Sequence, residues 1–187
     1  MRLFASLELP ETTRAACADV LRRLRAASGS VRILPVEAMH LTLAFLGEVE
    51  AARVDAVRVA LAKVARSSPP VPLHVAGAGA FPDLARPRVL WLGVNDAAGA
   101  VAALAGAVQT ALAPLGFEPE ARGFRPHLTV ARLRDGRLPP ALRTAVAAAA
   151  TFDAGRAQAG VLALMESRLD PAGAKYRTVD LWTLSGA

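Results

Sequence analysis

Apolar and polar positions along the chain fall into short alternating runs separated by stretches with helical spacing. RLFASLEL (2–9) alternates and stops at Pro10, which predicts an opening strand. Residues 11–27 then carry apolar and small residues at helical spacing, with arginines late. Residues 31–47 hold a short extended piece, a proline turn and a strand that Gly47 closes. In 50–66, Val54, Val57, Leu61 and Val64 share one helical face until Ser-Ser-Pro-Pro stops it. VPLHVAGAGAF (71–81) and PRVLWLGV (87–94) read as two strands around a loop. Residues 97–114 form an alanine-rich helix capped by Asn95 or Asp96. Another strand begins after ARGFRP, residues 139–150 make a helix opened by proline, and strand-like runs at 157–169 and 174–184 finish the chain.

One phrase in this pattern occurs twice. Residues 40–46 read HLTLAFL and residues 127–133 read HLTVARL, identical at five of seven positions. They are separated by 127 − 40 = 87 residues in a chain of 187, and each is followed by a turn, a helix and further strands. The order predicts one α+β domain spanning 1–187, built of two related β-rich lobes with helices on their outer faces.

In a strand successive side chains point to opposite faces. His40, Thr42 and Ala44 therefore share one face while Leu41, Leu43 and Phe45 share the other; His127, Thr129 and Ala131 line up likewise against Leu128 and Val130. Each strand has an apolar back and a front with one imidazole and one hydroxyl. Two such fronts facing each other make a cleft suited to a tetrahedral anion. Imidazole titrates near neutral pH, so one ring can donate a proton while the other accepts one, as phosphoryl hydrolysis requires. The threonine hydroxyls supply donors where charge develops. The same parity, extended backwards, puts Arg125 beside His127 and Thr129, where a guanidinium can clamp a phosphate; the first strand has only Ala38 there.

Composition narrows the setting. Hydrophobic residues make up 53% and charged residues 20%, a globular balance, and the net charge of +6, mostly arginine, suits a polyanionic partner. The one cysteine, Cys17, can form no internal disulfide and fits a reducing compartment. The N-terminal apolar run is short, carries Glu8 and meets Pro10, unlike a signal peptide. The apolar stretch 97–115 is broken by Gly99, Gly106 and Pro114, unlike a membrane span. A cytoplasmic protein with no membrane partner follows, and a monomer is expected. His74, Cys17 and the acidic residues show no ligand spacing beside the repeated strands, so no metal and no cofactor is expected. His74 lacks a following threonine and reads as an ordinary strand residue. Arg122, Arg125, Arg132, Arg134 and Arg137 crowd the second phrase as a solvated loop would, and Arg132 falls on the face away from His127.

The two H-x-T-x segments resemble the motifs of the two-histidine phosphodiesterase superfamily. RLFASLELP, MHLTLAFLGEV, PRVLWLGV, FRPHLTVARL and LMESRLDPAGAKY look like its bacterial RNA 2′,3′-cyclic phosphodiesterase branch, long labelled 2′-5′ RNA ligase. The resemblance implies a bilobal α+β fold with pseudo-twofold symmetry and a cleft between two antiparallel sheets. It implies metal-independent hydrolysis of a terminal 2′,3′-cyclic phosphate on RNA or a nucleotide to a 2′-phosphomonoester. His40 resembles the general acid, His127 the base, Thr42 and Thr129 the phosphate holders, and Arg125 their assistant. Phe45, Phe81, Phe124 and Tyr176 are candidates for base or ribose contact by stacking. Reversible 2′-5′ ligation, or cleavage of 2′-5′ linkages, is the alternative chemistry. A nucleotide- or RNA-binding module without turnover is the alternative of another class.

Overall fold

A computed structural model describes residues 1–118, 123–170 and 173–186. The strands are β1 (Arg2–Leu7), β2 (Leu41–Glu48), β3 (Val71–Phe81), β4 (Val89–Val94), β5 (His127–Arg132), β6 (Asp153–Ala159), β7 (Val161–Asp170) and β8 (Gly173–Thr183). The helices are α1 (Glu11–Ala26), α2 (Val54–Ser67), α3 (Ala100–Leu112) and α4 (Pro140–Ala148). Each helix buries one stripe at helical spacing, Val54, Val57, Leu61 and Val64 in α2 and Val101, Leu104, Val108 and Leu112 in α3. Asp96 caps α3 from four residues upstream, its carboxylate accepting the N–H groups of Val101 and Ala102. The run at 157–169 is divided: Gly160 separates β6 from β7, and β6 begins at Asp153.

All strand pairs are antiparallel, and the strands join into one sheet of eight in the order β6-β3-β4-β5-β2-β1-β7-β8. The expected two sheets are thus the two halves of one, joined through β2 and β5 by the single pair Leu41–Leu128. The halves are not consecutive pieces of chain. Of the strands after the first phrase, β4 pairs with β5 and β3 with β4; of those after the second, β7 pairs with β1 and β8 with β7, while β6 pairs with β3. Around the junction, β1-α1-β2 and β4-α3-β5 repeat one another in order and in neighbours, which is the local twofold relation.

The sheet has two unlike faces. Leu3, Ala5, Leu7, Leu41, Leu43, Leu90, Leu92, Leu128, Leu162 and Leu164 bury against the helices in one core. Phe4, Ala163 and Met165 form a second, small cluster with Tyr176, on the open face. The helices press the first set of residues into position and leave the second face available to a ligand.

Candidate active site

The Leu41–Leu128 pair determines the centre of the open face. In an antiparallel ladder the residues flanking a pair are themselves opposite, so His40 stands across from Thr129 and Thr42 across from His127. Leu41 and Leu128 are both fully buried on the helix side, so the four residues on either side of them point the other way. The result is a square with histidines on one diagonal. Flanking strands extend it, with Ser6 beside Thr42, Trp91 beside Thr129 and Gly93 beside His127.

Both rings are held in the same way. His40 Nδ1–H donates to the carbonyl of Ala38 at 3.0 Å, and His127 Nδ1–H donates to the carbonyl of Arg125 at 2.7 Å. A carbonyl can only accept, so Nδ1 carries the proton in each, and a neutral ring keeps Nε2 as an acceptor. Their surroundings differ. His40 lies 4.5 Å from the Phe4 ring and 4.7 Å, edge to face, from Tyr176, while His127 meets the edge of Phe81 at 5.1 Å. Burial among these rings pushes the His40 pKa down from its ordinary 6.5 to about 4. The Ala38 hydrogen bond opposes this and the charge of Arg132 adds to it.

A second feature of the repeat emerges only from the pairing. On β2, Thr42 pairs with Ser6 and Ala44 with Ala5, so Leu43 is passed over. On β5, Thr129 pairs with Trp91 and Ala131 with Leu90, so Val130 is passed over. Both phrases carry a bulge at their fourth residue. It reverses the facing of the residues that follow, as far as a second irregularity at Leu46 on β2, and corrects the strict alternation expected from sequence. Ala44 and Ala131 turn to the core, and Phe45 and Arg132, the sixth residue of each phrase, turn to the open face. Phe45 is 49% exposed and pairs with Phe4, their rings 6.0 Å apart.

Beside the square lies a cavity of about 1020 Å³, lined by Thr42, Phe45, Phe81, Arg88, Phe124, Arg125, His127 and Arg132 among others. The structure therefore brings together His127, Thr42, Arg125, Phe45, Phe81 and Phe124 in the lining, with His40 and Thr129 completing the square. Tyr176 serves as a wall of the His40 pocket. Arg132 and Arg88 were not legible as site residues: the bulge hides the first and the β4–β5 pairing positions the second. Arg122 lies outside the described residues. His74 is elsewhere, its Nε2 2.8 Å from Asp153 Oδ1, where it ties β3 to β6. Among the described residues no three of His, Cys, Asp and Glu converge on a point, and no helix is long and apolar enough to cross a membrane.

Comparison with known proteins identifies the family. The family model of the 2′-5′ RNA ligase superfamily matches residues 12–171. The chain is 32% identical over 177 residues to the RNA 2′,3′-cyclic phosphodiesterase of Archaeoglobus fulgidus, covering 95% of this chain and 97% of that one. It is 34% identical over 143 residues to the enzyme of the same description from Aeropyrum pernix, covering 76% and 80%. Its fold is similar to that of TT0787 of Thermus thermophilus, with a TM-score of 0.82, 27% identity and 100% and 99% of the two chains covered. It is also similar to E. coli LigT complexed with NADP+, with a TM-score of 0.72, 26% identity and 98% and 97% covered. Matched by its family model over most of its length and by relatives of that description, the chain belongs to the 2′-5′ RNA ligase superfamily.

Proposed function

We propose that this protein hydrolyses the 2′,3′-cyclic phosphodiester at the end of an RNA to a 2′-phosphomonoester, without a metal and in the cytoplasm. The observation that carries the reading is the square of two imidazoles and two hydroxyls around the Leu41–Leu128 pair. The names of the relatives point to the same reaction.

In the step itself, His127 Nε2 takes a proton from water as the water oxygen bonds to phosphorus. The bond from phosphorus to O3′ breaks, and His40 Nε2–H delivers a proton to O3′. One P–O bond forms and one breaks, the proton taken by one ring is balanced by the proton given by the other, and the phosphate stays on O2′. The Nδ1–H bonds to Ala38 and Arg125 hold each ring with Nε2 toward the cleft. Thr42, Thr129 and Arg125 donate to the non-bridging oxygens.

The acid role sets a condition. With a pKa of about 4, roughly one His40 ring in a thousand is protonated at pH 7 in the empty cleft. The phosphodiester is itself an anion, and a negative charge within about 4–6 Å favours the imidazolium, so substrate binding supplies what burial removes.

The test is incubation with a 2′,3′-cyclic nucleotide in the presence of EDTA, with the phosphomonoester identified by chromatography. A 2′-phosphate is expected. A 3′-phosphate would reverse which oxygen leaves, and abolition of turnover by EDTA would overturn the metal-free step. His40→Ala and His127→Ala should each cost about a hundredfold or more; wild-type turnover in either variant removes that ring from the mechanism. Adding an RNA with a 5′-hydroxyl distinguishes ligation, which would appear as a new 2′-5′ linkage.

A further inference from the structure

The centre of the cleft is nearly twofold, but its two ends differ in charge. β2 and β5 run antiparallel away from the square, so their C-terminal ends lie at opposite ends of the sheet. β2 runs out into Gly47-Glu48-Val49-Glu50, where Glu48 and Glu50 are exposed and Glu48 faces the amino terminus of Met1 at 3.4 Å. β5 runs out into Arg132-Leu133-Arg134-Asp135-Gly136-Arg137. The connection between β3 and β4 lies against it, with Arg88 Nη1 donating to the Arg134 carbonyl at 2.6 Å and Leu133 N–H donating to the Arg88 carbonyl at 2.9 Å.

Arg86, Arg134 and Arg137 are exposed at this end and continue outward from Arg88 and Arg132 of the cavity lining. None of the five makes an ion pair among the described residues. The two carboxylates in these loops, Asp83 and Asp135, accept backbone N–H groups, from Ala85 and Arg86 and from Arg137. Guanidinium groups gathered with so few neutralising partners form a positive field open to solvent. At about 3.3 Å per residue, Arg132 stands roughly 10 Å along the strand from Thr129; Arg134 follows the end of β5, and Gly136, next to Arg137, lies against the backbone of Arg86 and Pro87. That places Arg132, and the loop cluster beyond it, past a phosphate held between the imidazoles.

We propose that this arginine-lined mouth carries the RNA chain on the 5′ side of the reacting end, making an oligonucleotide, not a free cyclic mononucleotide, the preferred substrate. The proposal rests on the hydrolytic reading above. A cyclic phosphate closes the 3′ end, so every further phosphate must lead away from O5′ of the terminal ribose. At the other end the Met1 ammonium and Arg2 offset Glu48 and Glu50 and leave no positive field, whereas the end with Arg86, Arg134 and Arg137 attracts such a chain. Contacts of this kind position a strand by its phosphates and carry no sequence information.

The experiment measures kcat/KM for a 2′,3′-cyclic mononucleotide and for a hexaribonucleotide ending in the same cyclic nucleotide, in wild type and in the triple variant Arg86→Ala, Arg134→Ala, Arg137→Ala. Two phosphate contacts on a single strand steepen the log–log salt dependence by about 1.4, so between about 50 and 200 mM salt the hexamer's advantage should shrink about sevenfold. The triple variant should lose most of that advantage and of its salt dependence, and the corresponding triple lysine variant should keep both. A wild-type hexamer with no advantage, or an advantage insensitive to salt or retained by the alanine variant, overturns the proposal. The wild-type salt comparison decides even if the variant folds poorly. Wild-type turnover of neither substrate would instead sink the hydrolytic reading beneath it, and the proposed path along with it.

Discussion

Replacing His40 with glutamine should make the protein's stability less sensitive to acid. The unfolded ring titrates near 6.5, and burial between Phe4 and Tyr176 lowers the folded value to about 4. Between these values the unfolded chain binds a proton that the folded chain refuses, so stability is lost as pH falls from about 6.5 toward 4. At 1.36 kcal/mol per pKa unit the full loss is about 3 kcal/mol, of which about 2 kcal/mol has gone by pH 5. The assay is urea denaturation followed by the fluorescence of Trp91 and Trp182 at pH 7 and pH 5, on wild type and His40→Gln. Whatever the substitution costs in packing appears at both pH values and cancels in the comparison, as do the carboxylates the two proteins share. Wild type should lose about 2 kcal/mol more than the variant over this interval. Equal losses would mean that His40 is not desolvated in the folded protein, and the requirement that the substrate anion protonate it would go with that result.

Three further outcomes are expected. Gly79→Ala should cost about 1–3 kcal/mol in denaturant unfolding, because the added Cβ would lie 2.5 Å from the Trp91 ring, and turnover should fall with it, since Trp91 packs on Phe81 and Phe81 on His127. Unchanged stability and turnover would show that this aromatic stack has room to give. Cys17 is fully buried and its thiol is pushed up to about 11, so a disulfide reagent at pH 8 should label it only after urea is added; rapid native labelling would contradict its place in the core. The carboxyl of Glu166 is held below the usual carboxylate range by Arg168 and then Arg177, so its contribution to stability is present at neutral pH and fades as acid protonates it. Glu166→Gln should accordingly lower the denaturation midpoint at pH 7 and by less at pH 3, and an equal decrease at both would assign Glu166 a role other than charge pairing.

Much of the fold was written in local periodicity. The helical stripes of α2 and α3, the proline and glycine stops and the strand parity around Leu41 and Leu128 all depend on residues near one another in sequence, so they could be read directly. The chain's division into lobes could not. Which half of the sheet β3, β4, β7 and β8 join depends on pairings between distant segments, and the strands cross over between halves contrary to their order.

The candidate site divides in the same way. The repeated phrase alone determined that two imidazoles and two hydroxyls share the fronts of two like strands, because side-chain alternation over three residues needs no tertiary information. Only the fold decided that these fronts adjoin edge to edge, through one residue pair, and that His40 is desolvated by aromatic rings from β1 and β8 while His127 meets one from β3. Only the pairing with β1 and β4 placed a bulge at Leu43 and Val130, turning Phe45 and Arg132 toward the open face. A bulge is a mismatch between two strands, and no single strand's alternation contains it.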